Sequence, residues 1–213
     1  LILTARHCVS NPAGLPLEHA IFSNDLFAAE ADRRPVEKII VGDHPECDLA
    51  IIRHGGATPA AHAPVTLVTS LNAAYSATDD DDELAKEVAR LYGFGVQSDS
   101  FDGFGELRPG RLKALRASIN GPIEGSSPLV TVEEPANGGE CYGDSGGPLF
   151  LPTCPDAPSP LRDARGEPLP RGLAQIGVLS FGGAGTECRG GADEFVNLAD
   201  YGEWIDDAVA RLG

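Results

Sequence analysis

The chain has 213 residues, room for one domain or for two small halves sharing a cleft, and carries a formal net charge of −16. That charge argues against a nucleic-acid partner, which would need a basic footprint, and favours solubility and the approach of cationic ligands. No run reaches the roughly 18 apolar residues of a membrane-spanning helix, so no membrane partner is expected.

The 26 glycines and 17 prolines favour short strands and tight turns over long helices. Leu1 to Ala5 reads as a buried strand that runs straight into His7, and further strands are expected upstream of it. Val36 to Val41 is a β-branched-rich run bounded by Pro35 and Gly42, a second strand, and Asp48 to Arg53 is a third. Gly55 to Pro64 is rich in small residues and proline, a connector between two halves. Val65 to Val68 and Val88 to Phe94 are further strands.

Between these two runs stand five consecutive acids, Asp79 to Glu83. A calcium loop alternates its ligands with spacers around a turning glycine, a pattern absent here, so the run reads as a solvated loop. Pro152 to Pro170 reads as a surface insertion. After Asp200, a good N-cap, apolar residues recur at Tyr201, Trp204, Ile205, Ala208, Val209 and Leu212. That spacing predicts a helix with one face packed on the sheet behind it and Trp204 in the core.

Three segments carry chemistry. Gly143-Asp144-Ser145-Gly146-Gly147-Pro148-Leu149 surrounds a serine with glycines that let the backbone turn tightly and present N–H groups. A serine hydroxyl becomes a nucleophile only when a base takes its proton and the resulting oxyanion is stabilised. Leu3 to Cys8 delivers His7 at the end of an apolar strand, and Asp48 heads another. A carboxylate there can accept the imidazole N–H and fix its tautomer. Singly, Asp48 reads as a turn residue and His7 as a structural histidine; together with Ser145 they read as a catalytic set.

There are five cysteines, Cys8, Cys47, Cys141, Cys154 and Cys188, with no pair or histidine cluster at zinc spacing. Disulfides, and hence an oxidising, extracellular location, are expected over a metal site. The odd count leaves at least one thiol free or paired outside the chain. Pairing of Cys47 with Cys154 is left open by the sequence.

On these residues the chain resembles the trypsin/chymotrypsin-type serine protease family along nearly its whole length. Leu3 to Cys8 resembles the family's histidine motif, Asp48 to Ile52 its aspartate strand and Gly143 to Leu149 its nucleophile motif. Tyr92-Gly93-Phe94-Gly95 resembles its G-W-G turn and Leu179-Ser180-Phe181-Gly182 its S-W-G substrate strand. The resemblance implies an all-β fold of two six-stranded antiparallel β-barrels with a C-terminal helix. Residues 1–58 would supply the rest of the first barrel, 59–64 the connector, 65–199 the second barrel and 200–213 the helix.

It also implies a catalytic triad of His7, Asp48 and Ser145, and an oxyanion hole from the N–H groups of Gly143 and Ser145. Ser180, Phe181 and Gly182 would pair with an extended substrate, and Cys141 with Cys188 would form the cystine beside the primary pocket. Family zymogens pair the acid matching Asp144 with a newly cut N-terminal amine. Specificity departs from trypsin, whose pocket aspartate corresponds to Gly139 here. The adjacent Glu140 and Asp193 on the opposite wall still favour Arg or Lys, unless Arg189 neutralises one of them.

The implied function is a serine endopeptidase, a trypsin-like hydrolase acting through an acyl-enzyme without cofactor or metal. Its partners would be protein or peptide substrates and protein protease inhibitors. The competing reading is a catalytically silent, protease-like binding scaffold. An esterase using the same residues is a third, disfavoured by the Gly-Asp-Ser-Gly-Gly context.

Overall fold

The computed structural model describes residues 1–10, 16–22, 33–44, 47–69, 88–95, 115–116, 129–133, 141–153, 167–181 and 192–213. In the N-terminal part, β1 (Ile2–Thr4), β2 (His19–Ile21), β3 (Arg33–Val41) and β4 (Ala50–His54) form an antiparallel sheet in the order β1-β4-β3-β2. Its inner strand β4 buries Ala50, Ile51 and Ile52 in succession, the pattern of a strand covered on both faces. β1 is an edge strand and only half-buried, with Leu1 53% exposed, where a buried strand was expected.

β3 begins at Arg33, ahead of the boundary expected at Pro35. Proline costs little there because the register shifts between Val36 and Lys38, beside it, and only its carbonyl is used, accepting from Gly55 N–H at 2.8 Å. A short helix, α1 (Arg6–Val9), follows β1 and carries His7.

The second sheet contains β5 (Thr66–Leu67), β6 (Val88–Leu91), β7 (Leu115–Arg116), β8 (Leu129–Glu133), β9 (Pro148–Thr153), β10 (Gly172–Phe181) and β11 (Ala192–Asn197). The order is β11-β8-β7-β6-β9-β10-β5, and β11 also pairs with β10, so the sheet curls. β5 is its one parallel member among the described strands. β10 is buried from Ala174 through Leu179 and forms the spine. Gln175 is accommodated in that apolar run by donating to the carbonyl of Gly177 at 3.1 Å.

The architecture is all-β, in two parts, with a terminal helix. Two six-stranded barrels were expected, with residues 1–58 supplying only part of the first. Among the described residues the first part is an open four-stranded sheet, and a full six-stranded barrel is not seen there. Closure requires the edge strands to bond each other, and β1 and β2 each have a single partner among the described strands. The acids Asp79 to Glu83 and most of the Pro152 to Pro170 segment lie outside the described residues. The ends of that segment meet where Thr153 Oγ1 donates to the carbonyl of Pro170.

The terminal helix, α2 (Gly202–Leu212), starts after Tyr201 and not after the expected cap Asp200, and no side chain caps it. Gly202 comes so close to Thr69 that a Cβ would strike the Thr69 carbonyl oxygen, which fixes where the helix starts. Its inner face is Gly202, Ile205, Ala208 and Leu212; Val209, expected on that face, is 41% exposed. Trp204 is partly buried against the core and not inside it.

One apolar cluster joins both parts. Ala5, Ile40, Leu49 and Ile51 from the first meet Val178, Val196 and Leu198 from the second and Ile205, Ala208 and Leu212 from α2. Arg53 and Lys38 donate to the C-terminal carbonyls of α2, at Leu212 (2.6 Å) and Arg211 (2.8 Å). Cations there oppose the negative end of the helix dipole. No described helix is long and apolar enough to cross a membrane.

Candidate functional site

Antiparallel pairing of β1 with β4 sets Thr4 opposite Ala50. The residues after β1 and those before β4 must therefore meet, which brings His7 to Asp48 across 41 positions of sequence. Asp48 Oδ1 accepts the backbone N–H of His7 at 2.9 Å, and Oδ2 lies 2.7 Å from His7 Nδ1. A carboxylate only accepts, so Nδ1 carries the proton and Nε2 is left as the acceptor. The imidazole is half-exposed and the carboxylate mostly covered.

A third donor comes from the other sheet. Ser180, at the end of β10, gives its hydroxyl proton to Asp48 Oδ2 at 2.7 Å. The sequence assigns Ser180 to ligand pairing and misses this bond. Arg6 was missed as well. Its Nη1 donates to the carbonyls of Gly42 and His44, each at 3.2 Å, and its backbone N–H donates to Asp48 O. The signal available was a long cationic side chain immediately before His7.

Ser145 sits on the loop entering β9. Two turns shape it, Asp144 N–H to Cys141 O at 3.0 Å and Gly147 N–H to Asp144 O at 2.9 Å, with Gly143 (φ 95°) and Gly146 (φ 79°) in the left-handed region. Reciprocal bonds from Gly146 N–H to Leu179 O and from Leu179 N–H to Gly147 O stitch the loop to β10. The buried Asp144 carboxylate accepts from the N–H groups of Gly95 (2.6 Å) and Cys141 (2.9 Å). A Cβ at Gly93 or Gly95 would collide with that carboxylate, which accounts for both glycines of the Tyr92 to Gly95 turn.

The loop lies against the first part, since a Cβ on Gly146 would strike Thr4 Oγ1 and come to 3.1 Å from Cys8 Sγ. Ser145 itself is exposed, and its hydroxyl makes no hydrogen bond, to His7 or to any other described residue. The N–H groups of Gly143 and Ser145 donate to no described residue. Tyr142 and Phe181 stand beside them, 71% and 64% exposed. Asp193 is 1% exposed on β11, opposite Val132. Gly139, Glu140, Gly182 and Cys188 lie outside the described residues.

Cys8 and Cys47 are free thiols, so the Cys47–Cys154 pairing left open by the sequence does not form. Desolvation, with the Asp48 charge as a lesser cause, holds the Cys8 thiol above its ordinary range; desolvation does the same for Cys47. Cys141 is disulfide-bonded, and no disulfide has both its cysteines among the described residues.

The family described as a trypsin-like peptidase domain matches residues 1–153. Among solved structures the chain is similar to a mutant of human heparin binding protein (CAP37), with 21% identity and a TM-score of 0.61. That likeness covers 99% of this chain and 82% of the other. At this identity it shows the fold alone. Comparison with curated proteins returns no match.

These findings correct the expected activity. The His7–Asp48 leg is assembled, but the Ser145–His7 leg that would make a catalytic triad is not. The fold is also carried by a protein named for binding, so the fold does not by itself specify hydrolysis. The expectation of a serine endopeptidase, a hydrolase with Arg or Lys preference, is not sustained. By the match over residues 1–153 the chain belongs to the trypsin-like peptidase domain family.

Proposed function

We propose that this protein is a catalytically silent, protease-like binding scaffold that holds an extended, cationic segment of a partner protein in the cleft between its two parts. The observation that carries this reading is the exposed Ser145 hydroxyl, which makes no hydrogen bond to His7, beside a paired His7 and Asp48. Residues 1–58 and 65–199 form the walls, 59–64 joins them and helix 200–213 braces them. Ser180 to Gly182 lies along an extended ligand, with Phe181 offering an aromatic face. Gly143 and Ser145 supply N–H donors, and Gly139, Glu140 and Asp193 belong to the primary pocket. A Cys141–Cys188 cystine frames it.

Charge supports the cationic partner. A net charge of −16 attracts a basic segment and repels a polyanion, so the heparin binding for which CAP37 is named is not carried over. The disulfide at Cys141 supports a secreted protein.

The test combines a fluorophosphonate serine probe with binding of a lysine- and arginine-rich extended peptide. The expected result is no stoichiometric labelling, no cleavage, and an affinity that weakens between 0.01 and 0.15 M salt as the screening length contracts from about 30 to about 8 Å. Stoichiometric labelling that disappears in Ser145→Ala would overturn the reading.

A further inference from the structure

The loop between β3 and β4 presents Asp48, and among its described residues two backbone bonds of its own hold it, at its base and in one turn. Gly42 N–H donates to Leu49 O at 2.8 Å, and Cys47 N–H donates to His44 O at 3.0 Å. The carbonyl of Gly42, and that of His44 in addition to its bond from Cys47, accept from Arg6 Nη1 at 3.2 Å each. The same residue opens α1, and its backbone N–H binds Asp48 O at 3.2 Å. His7, the next residue, makes the two bonds to the Asp48 carboxylate.

We propose that Arg6 is a positioning residue: it clamps the Asp48 loop onto α1 and thereby fixes the tautomer and orientation of His7. The Nη1 of a permanently charged guanidinium carries two hydrogens, enough for both carbonyls, and its bonds are charge-assisted. Without it the loop keeps its base and its turn but loses the side-chain tie to the helix carrying His7. Asp48 then swings relative to the imidazole, and Nδ1 is no longer singled out as the protonated nitrogen. This inference goes beyond the binding reading, because it concerns the His7–Asp48 pair whatever the cleft holds.

The test is NMR of the His7 ring in 15N-histidine-labelled full chain. The wild-type protein should show an Nδ1-protonated ring with a deshielded proton, as a 2.7 Å bond to a carboxylate requires. In Arg6→Ala that proton should exchange about tenfold faster, the scale of losing a charge-assisted hydrogen bond, and the two tautomers should mix. Arg6→Lys, which keeps a cationic donor, should restore most of the signature; Arg6→Gln, which loses the charge, replaces the alanine variant if that protein is unstable. Arg53→Ala serves as the control, removing an arginine–carbonyl bond at the far end of α2; it should lower the melting temperature and leave His7 unchanged. A His7 signature the same as the wild type's in folded Arg6→Ala, or in Arg6→Gln where the alanine protein is unstable, with no faster exchange, would overturn the proposal. So would an equal disturbance of His7 by Arg53→Ala.

Discussion

Asp48 collects three donors, two from His7 and one from Ser180, and Ser180 belongs to the opposite sheet. The bond therefore joins the two parts as well as orienting a ring. Ser180→Ala should cost about 1.5 kcal/mol in urea unfolding, the low end for a bond to a charged group because the other donors remain. A change within experimental error would show that the contact carries no net stability. Gly146→Ala meets two obstacles, a left-handed backbone and the Thr4 hydroxyl, and should cost at least about 2 kcal/mol. Adding Thr4→Ala should recover only the steric share, so a double-mutant cycle separates the two.

His7, Asp48 and Ser145 were legible because short motifs carry them. The Ser180 and Arg6 bonds were not, since they depend on segments 132 and 36 to 38 positions apart arriving at one place. The missing Ser145–His7 bond was equally invisible, because the relative placement of two side chains has no counterpart in residue type.

At the level of elements, strand positions near the site were readable from apolar runs, whereas their ends were set by neighbours. β3 extends past Pro35 because a register shift adjoins it, and α2 starts at Gly202 because Thr69 leaves no room for a side chain. Asp200, displaced from the cap, becomes a liability. Burial raises its carboxyl above the ordinary range, so the fold holds this proton more tightly than the unfolded chain does. Its contribution is fully favourable below the unfolded value of about 3.9 and is lost as pH rises through the higher folded value. Asp200→Asn should therefore unfold at higher urea than the wild type at pH 7 and not at pH 3. Equal midpoints for the two proteins at pH 7 would contradict the assignment.

Across the whole molecule, the two parts expected from the sequence share one apolar cluster, closed by α2. Lys38 and Arg53 of the first sheet grip the end of that helix. Unfolding should consequently be a single transition. Fluorescence of Trp204, the chain's one tryptophan, reports on α2, and far-UV circular dichroism reports on the sheets. Their urea curves should superimpose. An earlier fluorescence transition would mean that α2 peels away first and that the shared cluster does not bind the parts together. A continuous core was not readable from a sequence whose glycine- and proline-rich connector signalled two separate halves.

The same cluster sets a timetable for biosynthesis. Ala5, Ile40, Leu49 and Ile51 leave the ribosome well before their apolar partners Ile205, Ala208 and Leu212. At ordinary translation rates the interval from Leu49 to Ile205 is on the order of ten to thirty seconds. During that interval the apolar side of the nascent first sheet lacks its partners, and it stays exposed to aggregation until translation passes Leu212.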